Sequence, residues 1–293
     1  MNDQYPSLCD GRYIVTHCIG NGGMGAVFRC YDQRLKVDRA VKILRPELVS
    51  RADKRQRFTR EAIAMAQLNH PNVVQIFDYG QEALTLFIIM EYLPLDSLQE
   101  YLDKVGVLNR GQTAQVSLEV AKGLQFMHQK EIIHRDVKPA NILIASTGVK
   151  VGDFGLVRSD VDHFQTHSQA IMGTFAFMSP EQRLGAKDVT HQTDIYALAA
   201  SMYVMLTNGS PLHLHHNDER DRLLASVDPA LAHIMDKGLQ PDPSKRYTSI
   251  DEMITDLEHV LETITEDSKF YISDIEVKTE PQDLSQLMEA WRH

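Results

Sequence analysis

Between Tyr13 and Leu44 the chain runs in short apolar pulses, "YIVTHCIG", "AVFRCYD" and "RAVKIL", with glycines separating the first two. Runs of that length and alternation predict three strands. In "RADKRQRFTREAIAMAQL", Phe58, Ala62, Met65 and Ala66 fall at helical spacing. "NVVQIFDYG" and "LTLFIIMEYL" then read as two more strands. Past Pro94 the rhythm turns helical, in "TAQVSLEVAKGLQFMHQK", "DIYALAASMYVML" and "DPALAHIMDKGL". A last helix is expected at "TSIDEMITDLEHVLE", where Ser249 and Glu252 have capping-box spacing. Strands first and helices after predict an α+β chain of two lobes, hinged near Glu91–Pro94. Clefts between such lobes favour active sites.

Composition narrows the classes without naming one. A chain of 293 residues, 43% hydrophobic and 24% charged, has the content of an ordinary globular protein with ample core. A formal net charge of -10 argues against a general binder of nucleic acid or anionic membrane. Cys9, Cys18 and Cys30 form no C-x-x-C pair, which suits a reducing compartment. "MNDQYPSLCD" lacks the charged and apolar regions of a signal peptide, and "IYALAASMYVML" is too short an apolar run to span a bilayer. The expectation is a soluble, cytoplasmic protein without a membrane span.

Three stretches carry candidate chemistry. "IGNGGMGAV" holds Gly20, Gly22 and Gly25 in G-x-G-x-x-G order between two strand-like runs, so it reads as a hairpin tip. Glycines there let backbone amides approach a polyphosphate; a merely flexible turn is the alternative. Lys42 interrupts the apolar "AVKIL", an awkward place for an ammonium without a partner. Glu61, one turn from Phe58 and Met65, is a candidate partner; otherwise Lys42 snorkels from an edge strand. In "EIIHRDVKPANILI", His134, Arg135, Asp136, Lys138 and Asn141 break an apolar run. Asp136 suits acceptance of a hydroxyl proton and Lys138 suits a phosphate. Asn141, with Asp153 of "VGDFGLV", suits Mg²⁺, which takes few protein ligands.

Taken in order, the glycine-rich loop with Val27, "AVK", Glu61, "HRDVKPAN", "DFG" and "SPE" resemble a eukaryotic-type protein kinase domain of the Ser/Thr class, over roughly residues 13–263. "GNGGMGAVF", "REAIAMAQLNHPNVV" and "MSPEQ" look most like bacterial members. The resemblance implies a bilobal kinase fold. Its N-lobe, over 13–91, is a small antiparallel sheet with one main helix, and its C-lobe, over 94–263, is mostly helical. An extension, 1–12, precedes the domain and a tail, 264–293, follows it.

The resemblance also implies residue roles. Ile19, Gly20, Asn21, Gly22, Gly23, Met24 and Gly25 cover the phosphates of ATP, while Val27, Ala40 and Leu143 sandwich the adenine. Met90 is the gatekeeper, and backbone groups of Glu91 and Leu93 bind the adenine edge. Lys42, paired with Glu61, holds the α- and β-phosphates. Asn141 and Asp153 hold Mg²⁺, or Mn²⁺ in its place. Asp136 orients and deprotonates the acceptor hydroxyl, and Lys138 steadies the γ-phosphate. Lys138 and Gly173–Thr174 point to Ser/Thr hydroxyls of proteins as acceptors. Glu181 pairs with Arg246, Asp194 anchors the catalytic loop, and Met65, Ile76, His134 and Phe154 stack. Arg135 implies a switch by loop autophosphorylation, with Thr166 and Ser168 preferred, through self-association for transfer in trans.

Some features stand apart. Phe177, Ser179 and Ala199 replace the family's usual Tyr, Ala and Gly, and the stretch between "MLTNG" and "DPALAHI" is short. His213, His215 and His216 near Asp218 read as a solvated loop rather than a metal site, and "RADKRQRFTR" as a solvated helix face. In the tail, Leu284, Leu287, Met288 and Trp291 predict a compact amphipathic helix that packs on the C-lobe, with docking to a partner or a second copy as the alternative. The rival functions are a pseudokinase scaffold and a small-molecule phosphotransferase. The complete polar set opposes the first, and the Arg-Asp-x-Lys pattern with "GT" and "SPE" opposes the second.

Overall fold

The computed structural model describes residues 7–21, 25–45, 52–82, 85–153, 175–185 and 189–264. The chain forms two units: the first runs to Asn69 and resumes over Val74–Pro94, and the second holds His70–Val73 and continues from Leu95.

Among the described residues the first unit is an antiparallel sheet with one helix. Its strands are β1 (Ser7–Leu8), β2 (Tyr13–Asn21), β3 (Gly25–Asp32), β4 (Val37–Leu44), β5 (Ile76–Glu82) and β6 (Thr85–Glu91), in the order β1-β2-β3-β4-β6-β5; helix α1 spans Ala52–Ala66. In the register, Val27 faces Lys42, Ala40 faces Met90 and Lys42 faces Ile88. Side chains alternate across a strand, so the pairing sorts residues by face. Ala26, Phe28, Val41, Ile43, Phe87 and Ile89 close one apolar core with Tyr13 and Val15, while Val27, Ala40, Lys42, Ile88 and Met90 share the opposite face. In α1, Phe58, Ala62 and Met65 are buried, but Ala66 is exposed and Leu68 beyond it is buried instead. The strand expected from Asn72 begins only at Ile76. The reason is that Asn72 is engaged in the second unit: its Nδ2 donates to the Val149 carbonyl and its own carbonyl accepts from the Val151 amide.

The second unit contains α2 (Leu98–Val105), α3 (Arg110–His128), a 3-10 turn (Pro139–Asn141), the hairpin β7 (Ile142–Ala145) and β8 (Gly148–Val151), α4 (Pro180–Arg183), α5 (Gln192–Thr207), a 3-10 turn (Pro211–His215), α6 (Asn217–Leu224), α7 (Pro229–Gly238) and α8 (Ile250–Glu262). From Thr193 to Met205 every residue of α5 is buried, as expected of a helix apolar on all sides. It packs on α3 and α7. Helix α2 was not among the expected elements, although Ser97 and Glu100 form a full capping box at its start. A box was expected at Ser249 and Glu252 instead. Ser249 does head α8 but makes no side-chain cap bond, and the Glu252 carboxylate accepts from Lys237 Nζ and the Thr248 amide, both at 3.4 Å.

Ala199, where the family carries glycine, has a visible accommodation. A Cβ added to Gly238 would lie 2.7 Å from the Ala199 Cβ. The space needed at this helix crossing is supplied by a glycine on α7 instead of α5. Among the described residues no helix is long and apolar enough to cross a membrane.

Candidate active site

In the first unit, the residues with implied nucleotide roles gather on the sheet face opposite the apolar core. Lys42 lies on β4, flanked by β3 and β6, with only 7% of its surface exposed. It is therefore not an edge-strand lysine reaching for solvent. Ala40, buried, and Val27 and Met90, half-buried, lie on the same face. The glycine-rich stretch does join two antiparallel strands, with Gly20 opposite Val27 and Asn21 opposite Ala26. The two described glycines differ. A Cβ on Gly25 would collide with the Ile43 carbonyl, so the fold itself requires that glycine. A Cβ on exposed Gly20 would meet nothing closer than Val27, at 3.9 Å. The fold does not fill the space over Gly20, which suits close approach by a ligand. Ile19 beside it is half-buried. Glu91 spends its amide on the Gln75 carbonyl, at 2.8 Å. Glu61 lies within α1, but its side chain is outside the described residues, as are Gly22, Gly23 and Met24.

In the second unit, a buried carboxylate organises the polar loop after α3. Asp194 sits in the first turn of α5, fully buried, where the helix N-terminus favours an anion. Its Oδ1 accepts from the Arg135 amide at 2.8 Å, and its Oδ2 from the His134 amide at 2.9 Å and from His128 Nε2 at 2.8 Å. Burial alone would raise this carboxyl, but the hydrogen bond and charge of His128, with the backbone amide of His134, outweigh it and hold the group below the usual aspartate value. Arg135 accordingly takes a left-handed conformation, φ 67°.

The histidine of the loop is structural. His134 Nδ1 accepts from the Asp136 amide at 3.2 Å, so Nε2 carries the proton and donates to the Gly152 carbonyl at 3.0 Å. Burial pushes its pKa below the ordinary histidine value, which keeps it neutral. His134, Met65 and Ile76 are each buried; Phe154, the fourth residue of the implied stack, lies outside the described residues.

Asp136 is presented at the loop's centre. Lys138 Nζ donates to both of its carboxylate oxygens, at 3.2 and 3.1 Å. Asn141 Nδ2 donates to Oδ2 at 2.8 Å and to the Asp136 carbonyl at 2.7 Å. With Nδ2 spent in this way, Asn141 keeps Oδ1 as its acceptor. The Gly152 amide donates to the Asn141 carbonyl at 2.9 Å, which ties the next residue, Asp153, to the same loop. Asp153 is exposed with φ 53°. An amide oxygen and a carboxylate held on adjoining segments are hard donors, a fit for Mg²⁺ or Mn²⁺. Leu143, in β7, is half-buried.

Three supports surround the loop. Glu181 and Arg246 form a bidentate pair at 2.7 and 2.8 Å, with the arginine side chain fully buried. Burial would raise the Glu181 carboxyl, yet the guanidinium beside it holds it below the usual glutamate value. The other two supports were not foreseen. His128 could have been noticed as a polar residue on the inner face of an apolar helix. Ser179, registered only as a departure, is fully buried and caps α4 in a box with Gln182, and Gln182 Nε2 donates to the Arg135 carbonyl at 3.0 Å. Its spacing is the one credited to Ser249 and Glu252.

The histidine segment also differs from expectation. Rather than a solvated loop, Pro211–His215 is a 3-10 turn in which His215 is half-buried against Arg183 and Tyr196, while exposed His213 faces Glu219 at 3.4 Å. Thr166, Ser168, Gly173, Thr174 and the tail helix lie outside the described residues.

Comparison with known proteins agrees with this geometry. Residues 13–260 match the protein kinase domain family, and the chain belongs to that family. It is 34% identical over 260 residues to the serine/threonine-protein kinase PrkC of Bacillus subtilis, covering 84% of this chain and 40% of that protein. It is 34% identical over 277 residues to PknB of Mycobacterium tuberculosis, covering 87% of this chain and 44% of that protein. The chain thus spans about two fifths of the length of these curated relatives. The crystal structure of the Mycobacterium tuberculosis PknI kinase domain superposes with a TM-score of 0.69 at 25% identity, covering 87% of this chain and all of that one.

Proposed function

We propose that this domain is a protein kinase that transfers the γ-phosphoryl group of ATP, with a divalent cation, to Ser/Thr hydroxyls of proteins. The observation that carries the reading is the Asp136 carboxylate, held between Lys138 and Asn141 on a backbone fixed by buried Asp194. Relatives named as serine/threonine kinases support it.

In this reading the protein contributes position and charge more than covalent chemistry. Asp136 accepts the hydrogen bond of the acceptor hydroxyl, orients its oxygen for in-line attack and takes the proton as the new O–P bond forms and the bond from the γ-phosphorus to the departing ADP oxygen breaks. Lys138 shares that carboxylate and offsets charge on the transferred phosphoryl. Asn141 and Asp153 are the cation's protein ligands; the ion, when bound, neutralises phosphate charge. Lys42 aligns the α- and β-phosphates with Glu61 as its partner, and the backbone from Ile19 to Gly25 covers them. Val27, Ala40 and Leu143 enclose the adenine, beside Met90, with the Glu91 carbonyl and the Leu93 backbone at its edge. Arg135 is the receptor for phosphate on Thr166 or Ser168 of the loop, placed there by a second copy. The kinase domain is assigned to 13–263 and acts in the cytoplasm.

The test is incorporation of γ-phosphate from Mg-ATP into casein and into a panel of small hydroxyl compounds, with mass-spectrometric mapping of the enzyme. The reading expects label on protein Ser/Thr and on Thr166 or Ser168. Transfer to small hydroxyls alone would overturn the substrate class, and no phosphate on 153–181 of active enzyme would overturn the switch.

A further inference from the structure

The second unit holds a polar column that the proposed chemistry does not use. Arg183, the last residue of α4, lays its guanidinium over the Phe175 ring, 4.3 Å from the centroid. Its Nη2 donates to the Phe175 carbonyl at 2.8 Å and more weakly to that of Ala176, at 3.5 Å. The same nitrogen meets Nε2 of His215, whose Nδ1 meets the Tyr196 hydroxyl. The His215 and Tyr196 rings are parallel within 5°, with centroids 5.8 Å apart. The Arg246 guanidinium, which grips Glu181, lies 5.0 Å from the Tyr196 centroid. One column therefore runs through Phe175, Arg183, His215, Tyr196 and Arg246.

The protonation state follows from the partners. A guanidinium only donates, so His215 Nε2 is the acceptor and the ring proton resides on Nδ1, given to the Tyr196 oxygen. An imidazolium here would put two cations in contact. Burial, then the Arg183 charge, push His215 down to about 4, so the ring stays an acceptor at neutral pH. Lysine could not replace Arg183, because one ammonium cannot both lie flat on Phe175 and serve a carbonyl and an imidazole.

The location gives the column its consequence. α4 is a bracket with two arms. Gln182 reaches the Arg135 carbonyl, beside Asp136, and Arg183 reaches the segment at Phe175–Ala176. The resemblance to kinases makes the "GT" to "SPE" stretch the part that positions the acceptor peptide, and Phe175–Met178 lies between the two motifs.

Building on the kinase reading, we propose that Arg183, seated by His215, is a positioning residue that sets the path of Phe175–Met178 and thereby governs capture of the extended protein segment carrying the acceptor hydroxyl, leaving nucleotide binding untouched.

Steady-state kinetics with casein and Mg-ATP test this, alongside amide hydrogen exchange over 175–178. Arg183→Ala is expected to raise KM for casein about fivefold or more, with KM for ATP within about twofold and kcat within about threefold of the unaltered protein. Exchange over 175–178 should accelerate about tenfold. Arg183→Lys should not restore KM, although a role in net charge alone would. His215→Phe, which keeps the ring and loses the acceptor, should move KM in the same direction by less. It also serves if Arg183→Ala fails to fold. An unmoved casein KM in these variants, or a loss confined to kcat, would overturn the inference alone. Absence of Asp136-dependent transfer by the unaltered protein would overturn the kinase reading and this inference with it.

Discussion

The loop around Asp136 and the column from Phe175 to Arg246 are both polar assemblies inside the helical unit, yet they are built differently. Around Asp136 the partners are close in sequence: Lys138 is two residues away, Asn141 five, and His134 two in the other direction. Asp194, His128 and Gln182 come from further off, and they fix the backbone rather than the reacting group. The column instead draws one residue from each of five places, and no two of them are neighbours in the chain. A short motif can therefore encode the first, whereas only the packing of α4, α5 and the Pro211–His215 turn creates the second. Both hold a histidine that burial keeps neutral, in different settings. His134 has both ring nitrogens hydrogen-bonded to backbone, and His215 is pressed between a guanidinium and a phenol.

The contrast can be broken most forcefully at its anchor. Asp194→Ala would leave two backbone amides and His128 without their buried acceptor, at a cost of about 3–5 kcal/mol, read as a lowered urea midpoint. A loss below about 1 kcal/mol would mean that the loop holds itself. Gly238→Ala comes next. Its methyl would meet the Ala199 Cβ at 2.7 Å, so about 1–3 kcal/mol of stability should disappear by overpacking. Adding Ala199→Gly should restore most of it, and purely additive effects would contradict the compensation. Gln182→Ala cuts the arm from α4 to the Arg135 carbonyl. It should lower kcat about threefold to tenfold through misplacement of Asp136, with a melting temperature little changed; an unaltered kcat would assign Gln182 to capping alone.

The smallest effect is electrostatic. Burial and the Arg183 charge push His215 down to about 4, and burial lowers His134 as well, from an ordinary histidine value of about 6.5. Between those limits the unfolded chain binds more protons, so stability falls as pH drops from 6.5 towards 4. The lowered carboxyls of Asp194 and Glu181 add their losses at lower pH. Melting temperatures near pH 7 and pH 5 should differ by a few degrees, and His215→Gln should narrow the gap. An unchanged gap would remove His215 from the balance.

Much of this was legible in the chain because it is local. The strand pulses at 13–44, the helix at Phe58 to Met65 and the buried α5 follow from side-chain periodicity, and the polar set at 134–141 from spacing. Where the reading missed, distant partners decided. Asn72 and Val73 look like strand, but Asn72 hydrogen-bonds to β8 and the Val73 amide turns back to the His70 carbonyl. Ser249 has a capping signature, but the Glu252 carboxylate accepts from Lys237 Nζ. His215 looks solvated, as His213 and His216 are, because nothing nearby in sequence announces Arg183 and Tyr196. Ala199 looks like a departure until Gly238 is seen opposite it.

The most direct measurement compares the unaltered protein with Asp136→Asn for γ-phosphate transfer from Mg-ATP to casein, with nucleotide binding followed in parallel. The account predicts that transfer falls by a factor of about 10² to 10⁴ while nucleotide affinity stays within a few-fold of the starting value. Transfer that survives the substitution would contradict the role given to Asp136, and with it the assignment of this loop as the seat of the chemistry.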